Sequence, residues 1–208
     1  MRPRKDHFTG VLLSEVCLSP DEAYNSVCIG YTKGVADNVT TTIVGAGSEP
    51  LGLMHCAPQQ HDENGLLAIT RRYILDHSEE LPQSAAKLLI GALADPFACK
   101  PGKAPADQMV AFHATGADLA SACISKDRKQ HFQCIGYLQG VFDATTDTLT
   151  SPRLRGFQDI CAPQAHDIAE LQTRFLKLVV NEPQYQRSIA ADVLFAAMVP
   201  PAPCPLRK

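Results

Sequence analysis

The sequence predicts an all-α fold: two homologous small helical bundles of about four helices each, stapled by disulfides. Three observations carry that expectation. They are an internal repeat, an even and duplicated set of cysteines, and apolar residues recurring at helical spacing. The repeat is clearest where "CIGYTKGVAD" (residues 28–37) returns as "CIGYLQGVFD" (residues 134–143), with seven of ten positions identical. The cysteines keep the same register. They fall at Cys17, Cys28, Cys56 and Cys99, then at Cys123, Cys134, Cys161 and Cys204, so the gaps are 11, 28 and 43 residues in the first set and 11, 27 and 43 in the second. Thr9, Gly10 and Leu13 return as Thr115, Gly116 and Leu119, and "CAPQQHD" returns as "CAPQAHD". Two long units in register form a tandem pair rather than a solenoid of many short repeats. The expected organisation is a first domain over residues 9–99, a linker over 100–114 and a second domain over 115–204. The stretch "KPGKAPAD" (residues 100–107) has the composition of a linker.

Within each unit the periodicity is helical. Ile168, Leu171, Phe175, Leu178 and Val179 fall on one helix face, as do Ala190, Val193, Leu194, Ala197 and Met198. Their first-copy counterparts are Leu66, Thr70, Tyr73 and Ile74, then Ala85, Leu88, Leu89, Ala92 and Leu93. Ser19-Pro20-Asp21-Glu22 reads as an N-cap serine, an N1 proline and an N3 glutamate, and Asp167 with Glu170 offers the same capping geometry. Pro96 and Pro201 close the last helix of each unit. The expected helices lie near 9–18, 20–42, 62–77 and 83–95, with equivalents near 109–123, 126–149, 166–181 and 186–199.

The repeated motif lies on the second helix, where Cys28, Tyr31 and Val35 share one face and Gly30 and Gly34 lie on a neighbouring one. Gly136, Tyr137 and Gly140 repeat the pattern. A glycine inside a helix costs up to about 1 kcal/mol relative to alanine. Keeping two implies that another helix approaches that backbone closely. The surroundings are too polar for the membrane form of a G-x-x-x-G pair. Asp37, repeated as Asp143, is too far along to cap this helix. It is expected to be structural, either bonding the amides of a neighbouring loop or facing solvent.

Residues 1–100 carry 8 basic and 12 acidic side chains (8 − 12 = −4) and residues 101–208 carry 11 and 10 (11 − 10 = +1). Neither balance is that of a nucleic-acid binder. No apolar run approaches the roughly 20 residues that span a bilayer, so no membrane insertion is expected. "MRPRK" resembles the start of an export signal, but "FTGVLL" is too short for its apolar stretch, and no signal is evident.

Eight cysteines allow several chemistries. Zinc sites bring ligands in close pairs, whereas the closest pair here is eleven apart. A catalytic thiol at Cys56 would need its neighbour His55, which becomes Ile160 in the second copy. Reduced, buried cysteines are the bland alternative. Two disulfides per domain explain why all four positions persist, and imply an oxidising compartment such as the periplasm. Three connectivities are possible per domain. The favoured ones are Cys17–Cys99 with Cys28–Cys56, and Cys123–Cys204 with Cys134–Cys161. The alternative Cys17–Cys28 would require a sharp turn across "SPDE".

The ordered set T-G-x-x-L-x-x-x-C, C-x-G-Y-x-x-G-V-x-D, C-x-P-Q and a final Cys after proline resembles the Rap/Tai-type immunity proteins, twice, over nearly the whole chain. Matching positions are Leu13, Cys17, Cys28, Gly30, Tyr31, Gly34, Asp37, Cys56, Pro58 and Cys99, then Leu119, Cys123, Cys134, Gly136, Tyr137, Gly140, Asp143, Cys161, Pro163 and Cys204. The resemblance implies an exported, disulfide-containing helical protein that protects bacteria from peptidoglycan amidases delivered by type VI secretion. This chain departs from the usual pattern by being tandem and by showing no clear signal.

Inhibition would then be steric, with a rigid scaffold occluding the cleft of a cognate effector protein, and recognition would reside in loops. The loops before the third cysteine, "VGAGSEPLGLMH" and "SPRLRGFQD", differ between copies and supply the candidate contacts Ser48, Glu49, His55, Arg153, Arg155 and Phe157. The tandem domains are expected to imitate a homodimer. The alternative is a periplasmic structural or chaperone-like module without an effector target. An enzyme would have to use His61-Asp62 or its repeat His166-Asp167, steps that fit helix capping better than catalysis. No Gly-rich phosphate loop, nucleophile elbow or HExxH is present, and neither cofactor nor metal is implied.

Overall fold

Each half starts with a threonine that ends an extended segment and opens a helix. In the computed structural model, which describes residues 8–45, 63–94, 114–150 and 167–198, Thr9 has φ −87° and ψ 160° and its side chain accepts from the Leu12 amide, capping α1 (Gly10–Cys17). Thr115 does the same for α5 (Gly116–Cys123) and adds a reciprocal bond, since Asp118 reaches back to the Thr115 amide. The Thr115 hydroxyl, and after it the Thr115 amide, donate to the Asp118 carboxylate and hold that carboxyl below its ordinary range. The leading helix of the second half therefore begins at Gly116 rather than near residue 109.

The long helices follow: α2 (Glu22–Gly45) and α6 (Arg128–Thr150). Their start corrects the expected cap. Asp21, not Ser19, accepts from the Ala23 amide at 2.7 Å, while Ser19 accepts from Asp21 one step earlier. Asp127 and Ser125 repeat this arrangement, with Asp127 accepting from Gln130 at 3.0 Å. Capping by aspartate lets the chain turn sharply after α1. That turn brings Cys17 and Cys28 to a Cα separation of 5.0 Å, and they form a disulfide. Cys123 and Cys134 pair likewise at 5.1 Å. The expected pairings of Cys17 with Cys99, Cys28 with Cys56, Cys123 with Cys204 and Cys134 with Cys161 are thereby overturned. The turn whose sharpness argued against Cys17–Cys28 is the one the aspartate cap builds. Cys56, Cys99, Cys161 and Cys204 lie outside the described residues.

The remaining helices are α3 (Glu63–Asp76), α4 (Ala85–Ala94), α7 (Ile168–Asn181), the single turn α8 (Gln184–Arg187) and α9 (Ala190–Met198). A 3-10 turn, Ser78–Glu80, takes the place of α8 in the first half. Asp167 caps α7 by accepting from the Ala169 amide. The predicted apolar faces are the buried ones: Leu171, Phe175 and Val179 of α7, Ala190, Val193, Leu194, Ala197 and Met198 of α9, and Leu66, Thr70 and Ile74 of α3. Each half closes on itself where the strand-like lead-ins of its first and last helices bond. Gly10 donates to Gln83 and Ala85 to Phe8, and in the second half Gly116 donates to Ser188 and Ala190 to Ala114. The fold among the described residues is thus all-α in two like halves, each with one disulfide joining its first two helices.

Candidate functional site

The four motif glycines meet at one place, where α2 lies along α6. A methyl group on Gly30 would come within 2.9 Å of the Tyr137 backbone nitrogen, and one on Gly136 within 2.9 Å of the Tyr31 nitrogen. Gly34 faces Tyr137 and Val141, and Gly140 faces Tyr31, again backbone to backbone. Only hydrogen at these positions lets the two helices touch, which is why the propensity penalty of a mid-helix glycine is tolerated four times. The contacts advance together along both helices, so α2 and α6 run in the same direction and the halves are related by an approximate two-fold axis.

Around this contact the motif tyrosines and aspartates cross between halves. The Tyr31 hydroxyl donates to Asp143 Oδ2 at 2.8 Å, and the Tyr137 hydroxyl to Asp37 Oδ2 at 2.6 Å. Asp37 is 1 % exposed and Asp143 fully buried. Asp143 also accepts from the Phe8 amide and from Gln139 Nε2. A buried carboxylate is tolerable only when donors satisfy it, and here a tyrosine hydroxyl comes to each from the opposite half, joined at Asp143 by the Phe8 amide from that half and by Gln139 from its own helix. Burial, then the adjacent Asp143 or Asp37 charge, raises the Tyr31 and Tyr137 hydroxyls well above the ordinary tyrosine range. Asp37 and Asp143 were expected to meet a neighbouring loop or solvent. Instead each is buried against the tyrosine of the other half.

Three further links join the halves, and no motif announced them. Asn38 Nδ2 donates to Thr145 Oγ1 at 2.8 Å, the Ser84 hydroxyl to Asp147 Oδ2, and Lys129 pairs with Glu22 on the exposed rim. Their counterparts in the other copy are different residues, so the repeat that exposes the shared motif hides them.

A second site repeats in each half, at the carbonyl of the cysteine ending the first helix. Arg71 Nε donates to the Cys17 carbonyl at 2.6 Å and its Nη2 to Asn25. In the second half, Gln172 donates to the Cys123 carbonyl and His131 Nδ1 lies 3.0 Å from it. Leu18 and Ile124, the residues after these cysteines, are exposed, as are Leu75 and Val180 at equivalent places on α3 and α7.

Among the described residues, His77, Glu79 and Glu80 place ligand-type atoms within 4.8 Å of one another. They sit at the surface, where the His77 ring stacks on Tyr73, and Tyr73 donates to Glu80. No described helix is long and apolar enough to cross a membrane. The structure therefore brings together Gly30, Tyr31, Gly34 and Asp37 with Gly136, Tyr137, Gly140 and Asp143. The loop candidates Ser48, Glu49, His55, Arg153, Arg155 and Phe157 lie outside the described residues, as do His61, Asp62 and His166.

A family model described as Rap1a immunity proteins matches the chain twice, over residues 9–99 and 115–204. No curated protein and no solved structure matches it.

Proposed function

The chain belongs to the Rap1a immunity proteins, and on that premise we propose that it binds a peptidoglycan amidase delivered by type VI secretion and occludes its catalytic cleft in the periplasm. The observation that carries this reading is the double family match, which points to immunity against a secreted effector as the common function. Three features support it. The Cys17–Cys28 and Cys123–Cys134 bridges suit an oxidising compartment. The halves are joined by backbone contact and by buried cross-bonds, giving a scaffold that loses little freedom on binding. The divergent segments 44–55 and 151–159, joined to that scaffold, supply Ser48, Glu49, His55, Arg153, Arg155 and Phe157 as effector contacts. The role is binding rather than catalysis. The domain limits are 9–99 and 115–204, with residues 100–114 as linker.

The test pairs the oxidised chain with a peptidoglycan hydrolase encoded beside it. A stable complex by calorimetry, with loss of cell-wall hydrolysis, is the expected outcome. A complex that leaves hydrolysis intact would reject occlusion, and the absence of any complex would favour a structural or chaperone-like module.

A further inference from the structure

The two-fold relation between α2 and α6 holds for the motif residues and fails for the residues beside them. Asn38 meets Thr145, polar on polar. The counterparts of Thr145 and Asn38 in the other copy are Val39 and Ala144, both apolar, and Ala144 belongs to the apolar cluster of the first half against which Val39 packs. Ser84 meets Asp147, and Glu22 meets Lys129. The second-copy counterparts of Ser84 and Glu22 are Ile189 and Arg128.

From these contacts we infer that the α2 and α6 faces are matched to each other and mismatched to themselves, so the only occupant each face accepts well is the other half of this chain. A second copy of the first half would set Asn38, 3 % exposed, against Val39, leaving a buried amide facing an aliphatic chain. A second copy of the second half would set Asp147 against Ile189 and Arg128 against Lys129, a carboxylate facing an aliphatic chain and two like charges. The shared glycines and Tyr–Asp bonds would permit either like pair. Asn38, which needs Thr145, discriminates against the first-half pair, and Asp147 and Lys129, which need Ser84 and Glu22, discriminate against the second-half pair. The tandem chain is thus a unit of two unlike halves that neither copies of itself nor chains carrying only the shared motif can invade. This inference does not depend on which effector the protein binds.

The test uses the full chain with a protease recognition sequence inserted between Gly102 and Lys103, cut after folding with disulfides intact. Light and isotopically heavy batches are nicked, mixed in guanidinium to release the halves, diluted out and read by native mass spectrometry. Unlike pairs, including light with heavy, should exceed each like pair by more than about tenfold, because a first-half pair takes Thr145 from the buried Asn38 amide and a second-half pair takes Ser84 from the half-buried Asp147 carboxylate. A statistical mixture, an excess of either like pair, or halves that stay monomeric would overturn the inference. In the same assay Asn38→Val should raise the first-half like pair severalfold. An unchanged distribution would overturn the role given to Asn38.

Discussion

Where α2 meets α6, both halves contribute the same residues: Gly30 and Gly34 against Gly136 and Gly140, and Tyr31 and Tyr137 bonded across to Asp143 and Asp37. Where α1 and α5 end, both halves face the same need, a donor for the last cysteine carbonyl, and meet it differently. The first uses Arg71 braced by Asn25, and the second uses Gln172 with His131 alongside. The difference teaches what fixes a side chain. Backbone packed on backbone admits only glycine, and a buried carboxylate admits only a partner of one length and polarity. A helix-end carbonyl at a half-exposed site accepts any donor that reaches it, since water can take up what a poor donor leaves.

The sharpest way to break that comparison is to fill the notch. Gly136→Leu should cost about 3 kcal/mol or more by overpacking, and lower the thermal midpoint of both halves together. A variant that melts like the parent would mean that the helices do not touch in solution. Next in size is the bridge that ties each half's first two helices. Replacing Cys17 and Cys28 by alanine opens an 11-residue separation, worth about 3 kcal/mol by loop entropy and readable from the guanidinium midpoint. Peptide mapping without reduction should link Cys17 to Cys28 and Cys123 to Cys134, and a Cys28–Cys56 peptide would refute the connectivity.

The crossed Tyr–Asp bonds come third. A cycle of Tyr31→Phe, Asp143→Ala and the double variant should give a coupling of about 2 kcal/mol, as expected for a buried bond to a carboxylate. The same bonds set an alkaline limit. Tyr31 and Tyr137 have hydroxyls raised well above the 10.0 of free tyrosine, so the native state keeps two protons that the unfolded chain releases. Their contribution is whole below pH 10 and is lost as pH rises beyond it. Ultraviolet titration should show these two of the five tyrosines ionising only as the protein unfolds. The smallest effect is expected at the interchangeable site: Arg71→Leu, which installs the residue found at the equivalent Leu176, should cost about 1 kcal/mol.

The helices, their apolar faces and the division into two halves were legible because periodicity and repetition are one-dimensional signals. Leu171, Phe175 and Val179 lie in the core where spacing placed them. The glycines were legible as a notch for another helix, but not for which one. The disulfide partners were not legible, since Cys17–Cys28 depends on a turn set by Asp21 capping α2, and the motif serine two residues earlier is the more obvious cap. Asn38–Thr145 and Ser84–Asp147 left no sequence trace. Their partners lie 107 and 63 residues away and have unlike counterparts in the other copy.

By itself the sequence determined that this protein is two copies of one helical unit, because hydrophobic spacing, caps and a repeated motif are properties of neighbouring residues. Only the tertiary structure decided that the motif is a joint between the copies. It buries Asp37 and Asp143 against each other's tyrosines rather than against loops or solvent. The reason is physical: whether a carboxylate faces water or a hydroxyl depends on what the fold carries to it from a hundred residues away.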